Sequence, residues 1–575
     1  MKNLFSFIFL DKILTKKYKI LSILLVVAIF FGFLIEMIGL GLILPLVSTM
    51  FDKNKLKEFE FFIPDFVDLD KYSHNEYIYS LLIIIFILFF AKNILLFFQN
   101  YFVARYTAGI GLFIQKNLIK KYLNRSLHYF NSINSTIMIR NLTTEVSVLV
   151  SGVLVPFFSI ITEVFIVVGI FLVLIIYNPK LTLLLLFMVS IVVVLFKFFF
   201  IEKLRRWGAL RQLHSSESIK KINNLFFLQK EIKIFDKENY FSRKLYDSFY
   251  NLAQVTFKKR IIHPIPRLIM EITAILIFCF VIAFLLFDGK KPDEIFPILA
   301  VLVVACFRIV PSFNRIAEYY STLRYGLPSL KILIDELNFD TYALEPELYK
   351  NKETKFEKFE INNLNFNYKE NTVLRNLKLE INKKDMIGIV GKSGAGKSTL
   401  LNVLLGLYPT DANIFYNKAK IEDIREWLIN VCYVPQDTHL LDGTIKENIA
   451  FGIDTNKIDN DQLSKAIDQA QLSELVKNLE DGYDTKIGEN GAKLSGGQKQ
   501  RIGIARALYP SPEILIFDEV TSSLDLETEK DLLESISNLK NNKTILIVTH
   551  RTSLLRDCNK VFELTDGELK KVNEK

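Results

Sequence analysis

The residues best equipped for chemistry are Gly391-Lys-Ser-Gly-Ala-Gly-Lys-Ser-Thr399, preceded by the apolar run Met386-Ile-Gly-Ile-Val390 and followed by Leu400-Leu-Asn-Val-Leu-Leu405. An apolar strand that enters a glycine-rich turn and then a helix is the setting in which this spacing cradles phosphate. Backbone N–H groups and the helix N-terminus face a β-phosphate, Lys397 reaches the β- and γ-phosphates, and the Ser398 hydroxyl, next to Thr399, ligates Mg²⁺. Gly391, Gly394 and Gly396 let the backbone approach closely.

Two further stretches complete such a site. Ile514-Leu-Ile-Phe-Asp-Glu519 reads as a buried strand ending in two acids. Asp518 is then placed to hold Mg²⁺ through water, and Glu519 to polarise an attacking water as general base. Between the two lies Leu494-Ser-Gly-Gly-Gln498, directly before the helical Ile502-Gly-Ile-Ala-Arg-Ala-Leu508. Ser495 and the N–H groups of Gly496 and Gly497 cap that helix, and its N-terminus is a second anion site.

The chain around these motifs has 575 residues, half of them hydrophobic, with 49 Phe and a net charge of +9. Length alone suggests more than one domain. Long apolar runs crowd the first part, and a membrane helix needs about 20 such residues. Six stretches qualify: Ile20 to Val47, Tyr77 to Phe102, Leu149 to Tyr177, Leu181 to Phe200, Ile265 to Phe287 and Ile295 to Val310. The connections after the second and fourth carry Lys116, Lys120, Lys121, Arg125 and Arg140, then Lys203, Arg205, Arg206, Arg211, Lys220 and Lys221 in helical-looking spacing. The positive-inside rule makes them cytoplasmic, together with the N-terminal lysines, and an even number of spans returns the chain to that side. The first span lacks a signal-type cleavage site and reads as retained. The aromatic-rich outer segment Phe59 to Val67 is either an interfacial helix or a loop packing its own aromatics. Four scattered cysteines imply neither a disulfide framework nor a metal site. The positive balance reads as loop charge beside a membrane, because no basic-aromatic cluster points to nucleic acid. The organisation expected is a transmembrane domain over residues 1–335, a charged linker over 336–357 and a soluble α/β domain over 358–575.

Leu494-Ser-Gly-Gly-Gln498 resembles the signature motif of ABC transporter ATPases. The resemblance implies a six-helix membrane domain of exporter type followed by an α/β P-loop ATPase that uses ATP and Mg²⁺. It further implies roles for Tyr368 (stacking on adenine), Gln436 in Tyr433-Val-Pro-Gln436 (contacting Mg²⁺), Asp525 in Ser522-Ser-Leu-Asp525 (the loop after the acids) and His550 (on the γ-phosphate). Lys486-Ile-Gly-Glu489 is similar to the loop that couples exporters to their membrane helices. Ser523 and Thr549 depart from the usual pattern without touching a catalytic group. In the family, Ser495 to Gln498 meets the ATP held by a second subunit, so one chain carries half of each site. A half-transporter is implied, most simply a C2 homodimer.

Charged groups within spans are costly and tend to line cavities. Lys92, Arg267, Arg308 and Arg315 suit a polyanion, with arginine forks matching phosphate geometry. The competing reading pairs them with Glu36, Glu163 and Glu271 or lets them snorkel to span ends. The membrane half, in Ile29 to Pro45, Lys92 to Arg105, Met138 to Val146, Pro266-Arg267 and Arg308 to Ile316, is similar to PglK-type bacterial flippases of lipid-linked oligosaccharides. That resemblance implies pyrophosphate contacts at the four cations, with a lysine at position 92 where the family has arginine, and a polyprenyl-contacting outer segment at Phe59 to Val67. The expected function is an ATP-driven flippase in a bacterial inner membrane. A lipid A, peptide or drug exporter, and an ABC domain gating a channel, are the alternatives.

Overall fold

The computed structural model describes residues 15–41, 74–126, 129–130, 133–177, 179–262, 264–287, 292–338, 355–368, 371–520, 526–549 and 551–574. The chain divides into two compact units. Apart from Ser126–His128, the first ends at Tyr342 and the second runs over Ala343–Lys575.

Among the described residues, the first unit is built of helices. Its helices are α1 (Lys16–Gly41), α2 (His74–Leu123), α3 (residues 135–177), α4 (Pro179–Phe227), α5 (Gln229–Ile234), α6 (Glu238–Ile262), α7 (Ile265–Phe287) and α8 (Pro292–Asn338). Among the described residues, four stretches are long and apolar enough to cross a membrane: Lys16–Ile35, Leu82–Leu123, Ser135–Ile175 and Glu238–Ala283. Helices α4 and α8 contain the expected fourth and sixth spans. The expected second, third, fourth and sixth spans are shorter than the helices that hold them, while the fifth coincides with α7. Helix α2 has 50 residues, about 75 Å at 1.5 Å per residue, well beyond the roughly 30 Å of bilayer hydrocarbon. Lys116 to Leu123 therefore continue the second span without a break, and Lys203 to Lys221 all lie on α4. The third span begins near Ser135, well before the expected Leu149. The segment from Phe59 to Val67 and the end of span one from residue 42 lie outside the described residues.

A seam at every fourth residue of α2, Tyr106, Ile110, Ile114, Leu118 and Tyr122, is buried against Leu25 and Ile29 of α1, Leu149 and Val153 of α3, and Leu330 and Leu333 of α8. Repeats of four put these side chains on one helix face. Helices α3 and α8 approach closely where Gly152 meets Gly326: a Cβ on Gly326 would lie 2.8 Å from the Gly152 carbonyl oxygen. Small residues at such crossings are how membrane helices gain packing contacts when lipid supplies no hydrophobic drive. Helix α3 is not uniform. It widens into π turns at Asn141–Glu145 and Val150–Leu154.

The second unit contains a four-stranded antiparallel sheet, ordered β2-β1-β4-β5, and a six-stranded sheet, ordered β10-β9-β3-β8-β7-β6. The strands are β1 (Lys358–Tyr368), β2 (Asn371–Asn382), β3 (Met386–Val390), β4 (Asn413–Tyr416), β5 (Ala419–Ile421), β6 (Val431–Val434), β7 (Ile514–Asp518), β8 (Thr544–Val548), β9 (Lys560–Thr565) and β10 (Glu568–Glu574). Strands β9, β3, β8, β7 and β6 run parallel. Their apolar runs are unbroken because both faces are covered. Ile387, Ile389, Ile514, Ile516, Leu546 and Val548 join the core that contains α9 (Lys397–Leu404) and the antiparallel sheet. Met386, Leu515, Phe517, Ile545 and Ile547 point the other way, into the core shared with α10 (Gly496–Leu508).

Candidate functional site

In the order β3-β8-β7, three parallel strands end side by side, and ligands of open α/β sheets bind beyond such carboxyl ends. Gly391 leaves β3, Thr549 leaves β8, and Asp518 with Glu519 leave β7. Two backbone bonds lace these ends together: Thr549 N–H donates to the Ile389 carbonyl at 3.1 Å and Glu519 N–H to the Val548 carbonyl at 2.9 Å.

The loop from Gly391 to Gly396 has the shape of an anion cradle. A Cβ on Gly391 would lie 2.5 Å from the Leu564 carbonyl oxygen, and Gly394 and Gly396 have φ of +82° and +102°, which other residues rarely adopt. Gly396 is the N-cap of α9, so Lys397, Ser398 and Thr399 form the first helical turn. Lys397 is buried, and its Nζ donates to the carbonyls of Gly391 and Lys392 at 3.0 and 3.2 Å. It also lies 3.9 Å from Glu519 Oε1. Burial lowers the Lys397 pKa while the Glu519 and Asp518 charges oppose that shift. At Asp518, burial pushes the carboxyl up, against the Tyr433 hydrogen bond and the Lys397 charge. Glu519 has φ of +46°, a left-handed conformation that costs a non-glycine residue about 1–3 kcal/mol unless its surroundings impose it. Here its N–H is held by the Val548 carbonyl, and its carboxylate lies beside Lys397.

The glycine cradle, the buried ammonium and the paired acids fit a Mg²⁺-nucleotide. Lys397 and the loop N–H groups would hold phosphate, while Ser398 and Asp518 would hold the metal. Bound there, the nucleotide supplies a γ-phosphoryl group for transfer to water, next to Glu519.

Tyr368 lies at the end of β1, where its hydroxyl donates to the Tyr408 hydroxyl at 2.9 Å. Tyr408 is 3% exposed and stacks on Phe366 with centroids 5.1 Å apart. Nothing about residue 408 in the sequence singled it out, because the contact spans 40 positions. Gln436 is exposed in the bend after β6. Ser495 and Gln498 form a capping box on α10: Gln498 N–H donates to Ser495 Oγ at 3.3 Å, and Ser495 N–H to Gln498 Oε1 at 2.9 Å. Gly496 next to them is exposed, while Gly497 is buried. The same helix grips the segment around Gln436. Gln500 Nε2 donates to the Pro435 carbonyl at 3.1 Å, and Thr438 donates to Gln500 Oε1 at 3.0 Å. A Cβ on Gly503 would meet Thr438 Oγ1 at 2.6 Å, so that segment packs directly on the helix backbone. Asp525 and His550 lie outside the described residues.

The first unit groups its charges differently. Lys92 is buried on α2 with its Nζ 5.1 Å from the Phe89 ring centroid. Lys92 and Arg308 both lie within electrostatic reach of Arg315. Arg315 in turn pairs with Glu163 of α3 at 2.5 Å. Arg267 is apart from this cluster, exposed and paired with Glu271 one turn on at 2.8 Å. The structure thus brings three of the four expected cations together and puts Arg267 in a local pair. It also reveals a buried centre that the sequence did not single out. Glu145, fully buried in the π turn of α3, pairs with Arg211 at 3.0 Å and Arg140 at 3.5 Å, and accepts from Gln212 at 3.0 Å. Arg211 also donates to Ser329 of α8 at 2.9 Å.

A model of the ABC transporter family matches residues 374–522, and one of the ABC transporter transmembrane region matches residues 20–304. The chain belongs to the ABC transporters. It is an ATP-hydrolysing, Mg²⁺-dependent membrane transporter with an exporter-type membrane domain, and it carries one membrane unit and one ATPase unit, the arrangement of a half-transporter. Its fold is similar to that of a bacterial Atm1-family ABC exporter solved with ATP bound, at a TM-score of 0.77 and 18% identity over 96% of this chain and 94% of that one. Over 482 residues it is 27% identical to an ATP-dependent lipid A-core flippase of Pseudomonas aeruginosa, covering 82% of this chain and 78% of that protein. It is 33% identical over 324 residues to ABC transporter B family member 29, chloroplastic, of Arabidopsis thaliana, 55% of this chain. The chain spans half the length of that plant relative.

Proposed function

We propose that this ABC transporter works as a homodimer in a bacterial inner membrane, with its ATPase unit in the cytoplasm, and flips an anionic amphiphile outward. The cargo is a polyprenyl-pyrophosphate-linked oligosaccharide. The observation that carries this reading is the gathering of Lys92, Arg308 and Arg315 from α2 and α8 inside the membrane unit. Such clustering is costly among apolar helices, and arginine forks match the geometry of a pyrophosphate. In the ATPase unit, Glu519 acts as the general base. Lys397, Gln436 and His550 stabilise the transferring phosphoryl group, Tyr368 stacks on adenine, and Ser495 to Gln498 with Asp525 complete the partner's site.

A second reading has support of its own: several relatives are lipid A-core flippases, and lipid A is also a phosphorylated amphiphile. Reconstitution into proteoliposomes separates the two. Polyprenyl-pyrophosphate glycans should become accessible on the far leaflet only with ATP, while lipid A should not. Flipping of lipid A alone would replace the oligosaccharide reading, and ATP hydrolysis that moves neither lipid would overturn both.

A further inference from the structure

We propose that Tyr433 is a positioning residue for the metal-binding carboxylate of Asp518; this rests on the reading of Asp518 as a Mg²⁺ group. Strands β6 and β7 are parallel, with Tyr433 opposite Ile516. Side chains at one level of neighbouring strands share a face, and residues two apart on a strand share it too. Tyr433 is therefore on the same face as Asp518 and one diagonal step away from it, on the side of the sheet covered by α9, as Ile516 shows by packing in that core. A tyrosine has the length for that diagonal, and the Tyr433 hydroxyl donates to Asp518 Oδ2 at 3.1 Å.

Among the described residues, Tyr433 is the side chain that hydrogen-bonds the Asp518 carboxylate. Asp518 ends its strand, and Glu519 beyond it has φ of +46°. A phenol that occupies Oδ2 restrains the carboxylate and would leave Oδ1 available to hold a metal. A hydrogen bond to an ionised acceptor is about twice as strong as a neutral one, and partners that orient metal ligands typically contribute about 10- to 100-fold in metal affinity. Tyr433 is 36% exposed, so its hydroxyl can reach the site from the open end of the sheet.

The test uses the full-length protein in nanodiscs with Mn²⁺ as the metal probe, its affinity read by electron paramagnetic resonance in the presence of ATP. Tyr433→Phe keeps the ring and removes only the hydroxyl. It should weaken Mn²⁺ binding about 10-fold, while binding of a fluorescent ATP analogue in EDTA stays at the level of the unmodified protein. Asp518→Asn, measured in parallel, should weaken Mn²⁺ binding at least as much. If Asp518→Asn weakens Mn²⁺ binding and Tyr433→Phe does not, the positioning role is wrong. If neither does, the metal reading of Asp518 fails and takes the proposal with it. Metal-free nucleotide binding that falls together with Mn²⁺ binding in Tyr433→Phe would make the tyrosine merely structural and overturn the proposal.

Discussion

The ATP site and the membrane charge clusters are built from the same residue types and treat them in opposite ways. At the strand ends, Lys397 and Glu519 are held 3.9 Å apart, longer than a hydrogen bond, by backbone geometry: a glycine loop, a helix first turn and a left-handed residue. In the helical unit several charges are closed into pairs. Arg315 meets Glu163, Arg267 meets Glu271, and Glu145 is gripped from three sides. The difference follows from what each scaffold supplies. The ends of parallel strands supply free N–H groups and some solvent, so a charge can be left poised for a ligand. A bundle of apolar helices supplies neither, and a buried ion there must bring its own counter-ion.

Four variants would break or sharpen this contrast. The largest effect belongs to Glu519→Gln. Removing a poised base should cut ATP turnover by about 10²- to 10⁴-fold while nucleotide binding persists. Steady-state hydrolysis with a parallel binding assay decides it, and turnover that continues unchanged would remove Glu519 from the role of base. On the other side of the comparison, Glu145→Ala leaves Arg140 and Arg211 buried without their counter-ion. It should destabilise the helical unit by about 3–5 kcal/mol, read as loss of unfolding free energy in detergent; a change near zero would mean those arginines find water instead. The combined variant Lys92→Gln, Arg308→Gln, Arg315→Gln tests whether the membrane cations serve cargo as well as packing. Cargo-stimulated hydrolysis should fall by about 10-fold or more, since a hydrogen bond to a charged group is worth about 1.5–3 kcal/mol, and undiminished stimulation would leave pairing as their only role. The smallest effect is expected of Tyr408→Phe, which keeps the stack on Phe366 and removes the hydroxyl that Tyr368 meets. A hydrogen bond worth about 0.5–1.5 kcal/mol should raise KM for ATP by about 2- to 10-fold and spare kcat. An unchanged KM would show that Tyr368 needs no such support.

Legibility followed sequence distance. The phosphate loop, the two acids and the signature helix are each contiguous, so local spacing displayed them and the resemblance ordered them. Tyr408 and Tyr433 escaped because their partners lie 40 and 85 positions away, brought near only by strand pairing and core packing. Glu145 escaped for a different reason. Its position reads as one acid before an apolar run, and only the π turn of Asn141–Glu145 and the approach of α4 and α8 make it a buried centre. The spans were legible as apolar runs, but their ends were not, since the basic stretches that follow continue the same helices.

By itself the sequence determined the chemistry class and the broad architecture: a nucleotide cradle, its acids, a signature helix and a chain of membrane spans. These depend on short-range spacing, hydropathy and glycine, which act within a few residues. Only the tertiary structure decided which partners each charge meets, Lys397 and Glu519 included. That choice depends on distances between strands and helices far apart in sequence, and on whether the place where they meet supplies N–H groups and water or apolar side chains.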